Sequence, residues 1–400
     1  MRYGSGMAYR CFWPAAVLIG LLAGCGGGDG GDPDPDPDPQ PTGEELFERG
    51  SYDVGFRETE LTYDPVGPDD TRSLTVRIWY PAAGDGEEEA VYSVASIVSL
   101  PPTGALIEPA PAEGGPFPLA IYSHGSGGEG LLAYPYAELF ASHGWVVASA
   151  NHAGNTALDG LTGTTDPFAS NAANRPADIT ALIDWVDAEL GGDVAELGAR
   201  TDEVFLFGHS FGAYTTFAAG GVDLDVTGLE AACTEPDCSI YADAEVSAHL
   251  ADLGDSRIAA IAPQAPALVP SFADGELAAL AIPTMLQSGR RDITTTDAAQ
   301  AQPAWAGLDH PDDIWVELPD GGHLSFISVC DDIGASFLNQ FQPNNQDDGC
   351  GDDFVPVSQA VPALAAYLLG FARLHLLGEE AWRTVLTGEA LDPAVAVTTR

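Results

Sequence analysis

The 400-residue chain carries 60 acidic side chains against 14 basic ones, a formal charge of −46, and every basic residue is an arginine. So negative a surface repels phosphate backbones and excludes nucleic acid as a partner, while the absence of lysine excludes Schiff-base chemistry, Ser–Lys dyads and lysine-dependent phosphate loops. With 45% hydrophobic residues the chain can bury a large core and is not a disordered polymer.

Residues 1–24 read as an export signal. Arg2 and Arg10 supply the positive start, and the apolar run over residues 12–23 is too short for a comfortable transmembrane helix. The closing Leu22-Ala23-Gly24-Cys25 resembles a bacterial lipobox, which implies lipidation of Cys25 and a membrane anchor; an ordinary cleaved signal with an incidental cysteine is the alternative. Gly26 in place of Asp after that cysteine points, by the same resemblance, to the outer membrane or the cell surface. Residues 25–43 form a Gly- and Asp-Pro-rich tether. The Asp-Pro repeat favours extended polyproline II, and like charges stretch it further. Its five aspartates do not suit a calcium loop, because the alternating prolines deny the turn such a loop needs.

Over residues 44–400, short β-like runs alternate with helical stretches. That alternation predicts an α/β domain with a mostly parallel central sheet and helices on both faces. Residues 74–80 (LTVRIWY) read as an early antiparallel strand, and the Pro/Gly/Glu-rich residues 81–116 as an insertion. Residues 119–123 and 145–150 are continuous apolar runs of the kind buried strands show. Residues 178–190 are helical by spacing, with Ile179, Leu182, Ile183 and Val186 on one face. A strand over 204–207 enters a Gly-flanked turn, and residues 221–256 form a second insertion. Strands over 258–262, 284–287 and 314–318 follow, and residues 356–377 form a closing helix. Of six cysteines, Cys11 and Cys25 belong to the N-terminal segment, which leaves Cys233, Cys238, Cys330 and Cys350. An even number in an exported chain predicts two disulfides. Cys233–Cys238 and Cys330–Cys350 are favoured because each pair lies within one polar, turn-rich stretch. No Cys-x-x-Cys occurs, and no metal site is expected.

Gly208-His209-Ser210-Phe211-Gly212 fits G-x-S-x-G between the strand VFLF and a helix AYTTFAA. A serine at the tip of such a turn sits in strained backbone, exposed above the sheet, and the flanking glycines avoid collision. Serine needs a base to take its proton, and the base needs an anion to fix its tautomer, so the chain order Ser, acid, His directs the search downstream. Asp292 in Gly289-Arg290-Arg291-Asp292 follows one strand, with Asp297 its nearest rival. His323 in Asp320-Gly321-Gly322-His323 follows the last strand, whereas His310 precedes it and falls at the wrong end. The loop Tyr122-Ser123-His124-Gly125-Ser126-Gly127-Gly128 stands where a second oxyanion donor belongs, with the backbone amides of Ser126 and Phe211 as the donors. The same loop reads Gly125-x-Gly127-x-x-Gly130, a weak dinucleotide fingerprint. The next strand ends in Ala150-Asn151-His152 without the carboxylate that would hold a ribose, so no cofactor is expected.

Taken together, YSHGSGG, Asn174-Arg175-Pro176-Ala177-Asp178 before a helix, FLFGHSFGAYT, SGRRD and DGGHLSF resemble the α/β-hydrolase superfamily over roughly residues 50–375. Within it they look closest to secreted platelet-activating-factor acetylhydrolases and dienelactone-hydrolase-like esterases. The resemblance implies a Ser210–Asp292–His323 triad, no cofactor, and hydrolysis of a small-molecule or lipid carboxylic ester outside the cytoplasm. Dienelactone hydrolases use cysteine where this chain has Ser210, so that particular activity does not follow. Arg175 and Asp178 are expected to pair at the helix start, His124 and His209 to pack, and His152 to line the pocket or to pack. Trp305 and Trp315 are expected in the core. The rival readings are a catalytically silent hydrolase fold used for binding, a serine peptidase, and a polyester hydrolase; a silent fold would be expected to lose a triad member, and none is missing.

Overall fold

A computed structural model describes residues 41–66, 71–84, 88–101, 103–188, 197–234, 238–334, 338–339 and 344–400. The export signal, Cys25 and nearly all of the tether lie outside the described residues.

The strands β1 (Asp53–Tyr63), β2 (Arg72–Ala82), β3 (Ser93–Val94), β4 (Val98–Ser99), β5 (Leu106–Ile107), β6 (Phe117–Ser123), β7 (Val146–Ala150), β8 (Ala199–His209), β9 (Ile258–Gln264), β10 (Met285–Gly289), β11 (Ile314–Leu318) and β12 (Ala396–Thr399) follow one another along the chain. Ten of them build one sheet in the order β12-β11-β10-β9-β8-β6-β7-β2-β1-β5, and among the described residues β3 and β4 form a separate two-stranded sheet. From β7 to β11 every pairing is parallel, and antiparallel pairs close the flanks at β1–β2, β2–β7 and β11–β12. This is the mixed, mostly parallel sheet expected from the alternation.

Side chains sort onto the two faces with the period of two that a strand imposes. Ala120 and Tyr122 of β6, with Phe205 and Phe207 of β8, face one core. Leu119 and Ile121, with Val204 and Leu206, face the other. The first core is covered by α1 (Tyr134–Ser142) and by the long C-terminal helix Val357–Leu377. The second is covered by α3 (Phe168–Ala188) and α4 (Phe211–Ala219), with the short α2 (Ala157–Thr162) lying before α3. Among the described helices only Val357–Leu377 is long and apolar enough to cross a membrane, but most of it is buried, as suits a core helix.

Two sequence expectations need correction. The helix assigned to 178–190 begins ten residues earlier, at Phe168, and takes Pro176 into its interior. Pro176 has no N–H to give to the carbonyl of Ala172; the buried Tyr214 hydroxyl donates to that carbonyl at 2.9 Å instead, so the helix continues without an orphaned acceptor. The insertion set at 81–116 overlaps β2, which runs to Ala82, and its β5 returns to the sheet beside β1. Both favoured disulfides form, Cys233–Cys238 and Cys330–Cys350, with Cα atoms 5.7 and 5.2 Å apart.

Candidate active site

Three loops at the C-terminal ends of parallel strands converge. The first is the turn from β8 into α4. Ser210 at its tip has φ 58° and ψ −116°, a left-handed conformation that a side chain adopts only under constraint. The constraint comes from the neighbouring strand: a Cβ on Gly212 would stand 1.9 Å from the carbonyl oxygen of Ser123, the last residue of β6. Only glycine lets the turn close this far onto β6, and the Ser210 N–H is fixed by the Gln264 carbonyl at 2.9 Å.

The second and third loops follow β10 and β11. His323 Nδ1 donates to Asp292 Oδ2 at 2.7 Å, and its Nε2 accepts from Ser210 Oγ at 2.9 Å. Asp292 is buried and saturated with donors. Its Oδ1 accepts from the N–H groups of Thr294 and Thr295, and its Oδ2 also accepts from the Thr295 hydroxyl. Burial raises the Asp292 pKa, but the bond to His323, its charge and the Thr295 donors together bring it below the ordinary value. Asp297 turns away, to Ser288 Oγ and the Gln302 side-chain amide. His310 lies at the other end of β11, with Asp312 and Asp313.

The loop after β6 lies directly against this turn: a Cβ on Gly125 would stand 3.3 Å from Ser210 Cβ. The N–H groups of Gly127 and Gly128 are occupied by the carbonyls of Asn155 and Gly125. Those of Ser126 and Phe211 have no hydrogen-bond partner among the described residues, which leaves them open to a ligand oxygen.

Several residues serve differently from the sequence expectation. Arg175 and Asp178 do not bond to each other. Arg175, fully buried, donates to the His124 carbonyl, to Asn155 Oδ1 at 2.5 Å and to Thr215 Oγ1 at 3.2 Å, and lies 4.5 Å over the Phe211 ring. Burial lowers its pKa to about 9. Asp178 instead takes Arg72 at 3.0 Å, the Tyr63 hydroxyl at 2.6 Å and His152 Nδ1 at 2.8 Å. His152 does not line the pocket: fully buried, it accepts from Ser123 Oγ on its other nitrogen at 2.9 Å. Burial, with Arg175 nearby, lowers its pKa to about 4 and keeps it neutral. Tyr63 lies in no motif, and Ser123, although inside YSHGSGG, has no role that the motif assigns; only the strand ends that bring them beside His152 and Asp178 could have pointed to them.

His124 and His209 do more than pack. His124 Nδ1 donates to the Gly125 carbonyl at 2.7 Å and its Nε2 accepts from the His152 N–H, which pins the loop after β6. His209 Nε2 donates to the carbonyl of His323 at 2.8 Å, and burial lowers its pKa to about 3. Trp305 and Trp315 pack against each other with centroids 5.9 Å apart and remain partly buried. Among the described residues no three His, Cys, Asp or Glu side chains gather as a metal site would require.

The parallel sheet with its flanking helices, the sharp turn after β8 and the loops after β10 and β11 define an α/β-hydrolase fold. Among solved structures the chain is similar to a ferulic acid esterase from Streptomyces cinnamoneus, with a TM-score of 0.62 and 21% sequence identity over 87% of this chain and 97% of that one. At that identity the likeness establishes the fold. No family profile and no curated protein matches the chain.

Proposed function

We propose that the protein is a serine hydrolase that cleaves carboxylic esters through a covalent acyl-enzyme. The observation that carries this reading is a single imidazole, His323, bonded to Ser210 Oγ at 2.9 Å on one side and to Asp292 at 2.7 Å on the other. As Ser210 Oγ attacks the ester carbonyl carbon, its proton passes to His323 Nε2. Asp292 keeps the Nδ1 proton in place and stabilises the imidazolium that forms. The carbonyl oxygen, now an anion, meets the amides of Ser126 and Phe211, each donor lowering the barrier by about 3 kcal/mol. His323 then returns its proton to the departing alcohol, leaving Ser210 acylated. Water repeats the sequence with His323 as base and frees the acid. Apart from the ester and that water, every step uses groups the chain itself supplies.

The likeness to a ferulic acid esterase supports ester hydrolysis, and the motif resemblance adds short-chain phospholipid esters to the candidates. The test is a panel of nitrophenyl esters from acetyl to palmitoyl, with feruloyl and phospholipid esters beside it. Purified wild type should hydrolyse part of the panel and Ser210→Ala none of it; full turnover by Ser210→Ala would refute the reading. We further propose that Cys25 is lipidated and tethers the enzyme, at the outer membrane or cell surface. Cys25→Ser should then leave the membrane fraction for the soluble one, and equal partition of mutant and wild type would count against a tether.

A further inference from the structure

Asp348 belongs to no motif and lies 25 residues beyond His323 in the chain, yet it is fully buried beside the site. One carboxylate oxygen, Oδ1, accepts from the backbone N–H of His323 at 2.9 Å and from that of Ile293 at 3.1 Å. The other, Oδ2, accepts from the Thr294 hydroxyl at 2.6 Å. The bonded groups thus belong to the histidine itself and to the two residues that follow Asp292. Its own carbonyl accepts from the Leu324 N–H at 2.9 Å, which fastens the turn of His323 a second time.

The surroundings fit this contact closely. A Cβ on Gly322 would stand 2.5 Å from the carbonyl carbon of Asp348, so only glycine before the histidine lets the two segments meet. Two residues after Asp348, Cys350 is tied to Cys330, seven residues beyond His323. The segment that carries the clamp is therefore closed back covalently onto the one that carries the base.

We propose that Asp348 is a positioning residue for the triad: its carboxylate holds the loop of the acid and the loop of the base at one separation, so that Asp292 and Ser210 reach opposite nitrogens of the same ring. It touches no reacting atom. This rests on the reading that Ser210, His323 and Asp292 perform the chemistry. Displacing a catalytic group by about an ångström can cost on the order of 100-fold in rate, and a binding pocket built elsewhere would not register the change.

The experiment compares Asp348→Ala, Asp348→Asn and Thr294→Val with wild type on the ester hydrolysed best, counting sites by stoichiometric labelling of Ser210 with a fluorophosphonate. Asp348→Asn keeps an oxygen for the two backbone donors, and its amide N–H can give to the Thr294 hydroxyl. It should stay within about fivefold of wild-type kcat, and Thr294→Val, which loses one bond of three, should fall by a similar small factor. Asp348→Ala should lose about 100-fold in kcat per labelled site with KM changed less than about threefold. Should Asp348→Ala fail to fold, Thr294→Val carries the test, with the same requirement that kcat fall and KM hold. Wild-type kcat in Asp348→Ala, equal losses in the Ala and Asn variants, or a loss expressed in KM alone would overturn the proposal. If Ser210→Ala is inactive in the same assays, any of those results leaves the triad standing and removes only the clamp.

Discussion

Acidification from pH 7.5 to 5.5 should weaken the fold steeply, because three histidines at its centre are buried neutral. His124, His152 and His209 are almost entirely shielded from solvent. Burial lowers His152 to about 4 and His209 to about 3, and holds His124 well below its ordinary 6.5. In the unfolded chain each takes up a proton near pH 6.5, so over this range the unfolded state binds more protons than the native one. Stability is therefore full above that pH and is lost as the pH falls towards the folded values. Integrated from pH 7.5 to 5.5, the loss is about 1.4 kcal/mol per histidine and about 4 kcal/mol for the three. That is a large share of a total stability of roughly 5–15 kcal/mol. Glu129 and Glu138, raised by burial, act in the opposite sense and offset part of the histidine slope. Urea unfolding followed by tryptophan fluorescence measures it: with m of about 3 kcal/mol/M the midpoint should drop by about 1 M across the window. His375, which burial lowers to about 4, and His143 and His249, also lowered by burial, add to the same slope, so His209→Gln, which keeps an N–H for the His323 carbonyl, should recover about 1.4 kcal/mol of the loss rather than abolish it. A midpoint constant to within about 0.3 M would refute the reasoning, since it would mean these rings are protonated in the native state as readily as in the unfolded one.

Ser210→Ala and His323→Ala should each reduce kcat by on the order of 10⁴–10⁶, and the double mutant should be scarcely worse than either, because the two act as a unit. Asp292→Asn should be severe and Asp297→Asn mild; the reverse, read from kcat at fixed pH, would move the acid. Tyr214→Phe should cost about 1–3 kcal/mol by leaving the Ala172 carbonyl without a donor. Pro176→Ala, which restores a helical N–H to that carbonyl, should recover part of the loss in the double mutant, and strictly additive denaturation energies would refute the link.

The parts of the site legible in the sequence were those that local chemistry dictates. Gly212 is required wherever a chain turns this sharply onto a neighbouring strand, so the G-x-S-x-G pattern was visible without knowledge of that neighbour. Chain order points to Asp292 and His323 because parallel strands deliver their C-terminal ends to one edge of a sheet, and the structure brings both side chains to Ser210. The features that the sequence does not reveal share one cause. Pro176 suggested a helix boundary, and only Tyr214, from another helix, makes it tolerable. Strand β1 is not legible in the sequence although Val54, Phe56 and Leu61 are buried, because charged residues at 57, 58 and 60 set an edge-side strand within a polar stretch. The partners of Arg175, His152 and Asp348 lie tens of residues away along the chain, and no local pattern encodes such meetings.

Ser123, His152 and Asp178 reproduce, with spacings of 2.9 and 2.8 Å, the same order of groups that Ser210, His323 and Asp292 display a short distance away in the fold. A search by interatomic distance would therefore return two triads from this one chain. Solvent separates them: Ser123, His152 and Asp178 have no measurable exposure, so no carbonyl can approach the first hydroxyl and no proton can leave the ring. A mechanism-based phosphonate should consequently add one adduct mass per polypeptide, on the peptide containing Ser210. For folds of this kind, accessibility has to be weighed alongside geometry before a serine is assigned as a nucleophile.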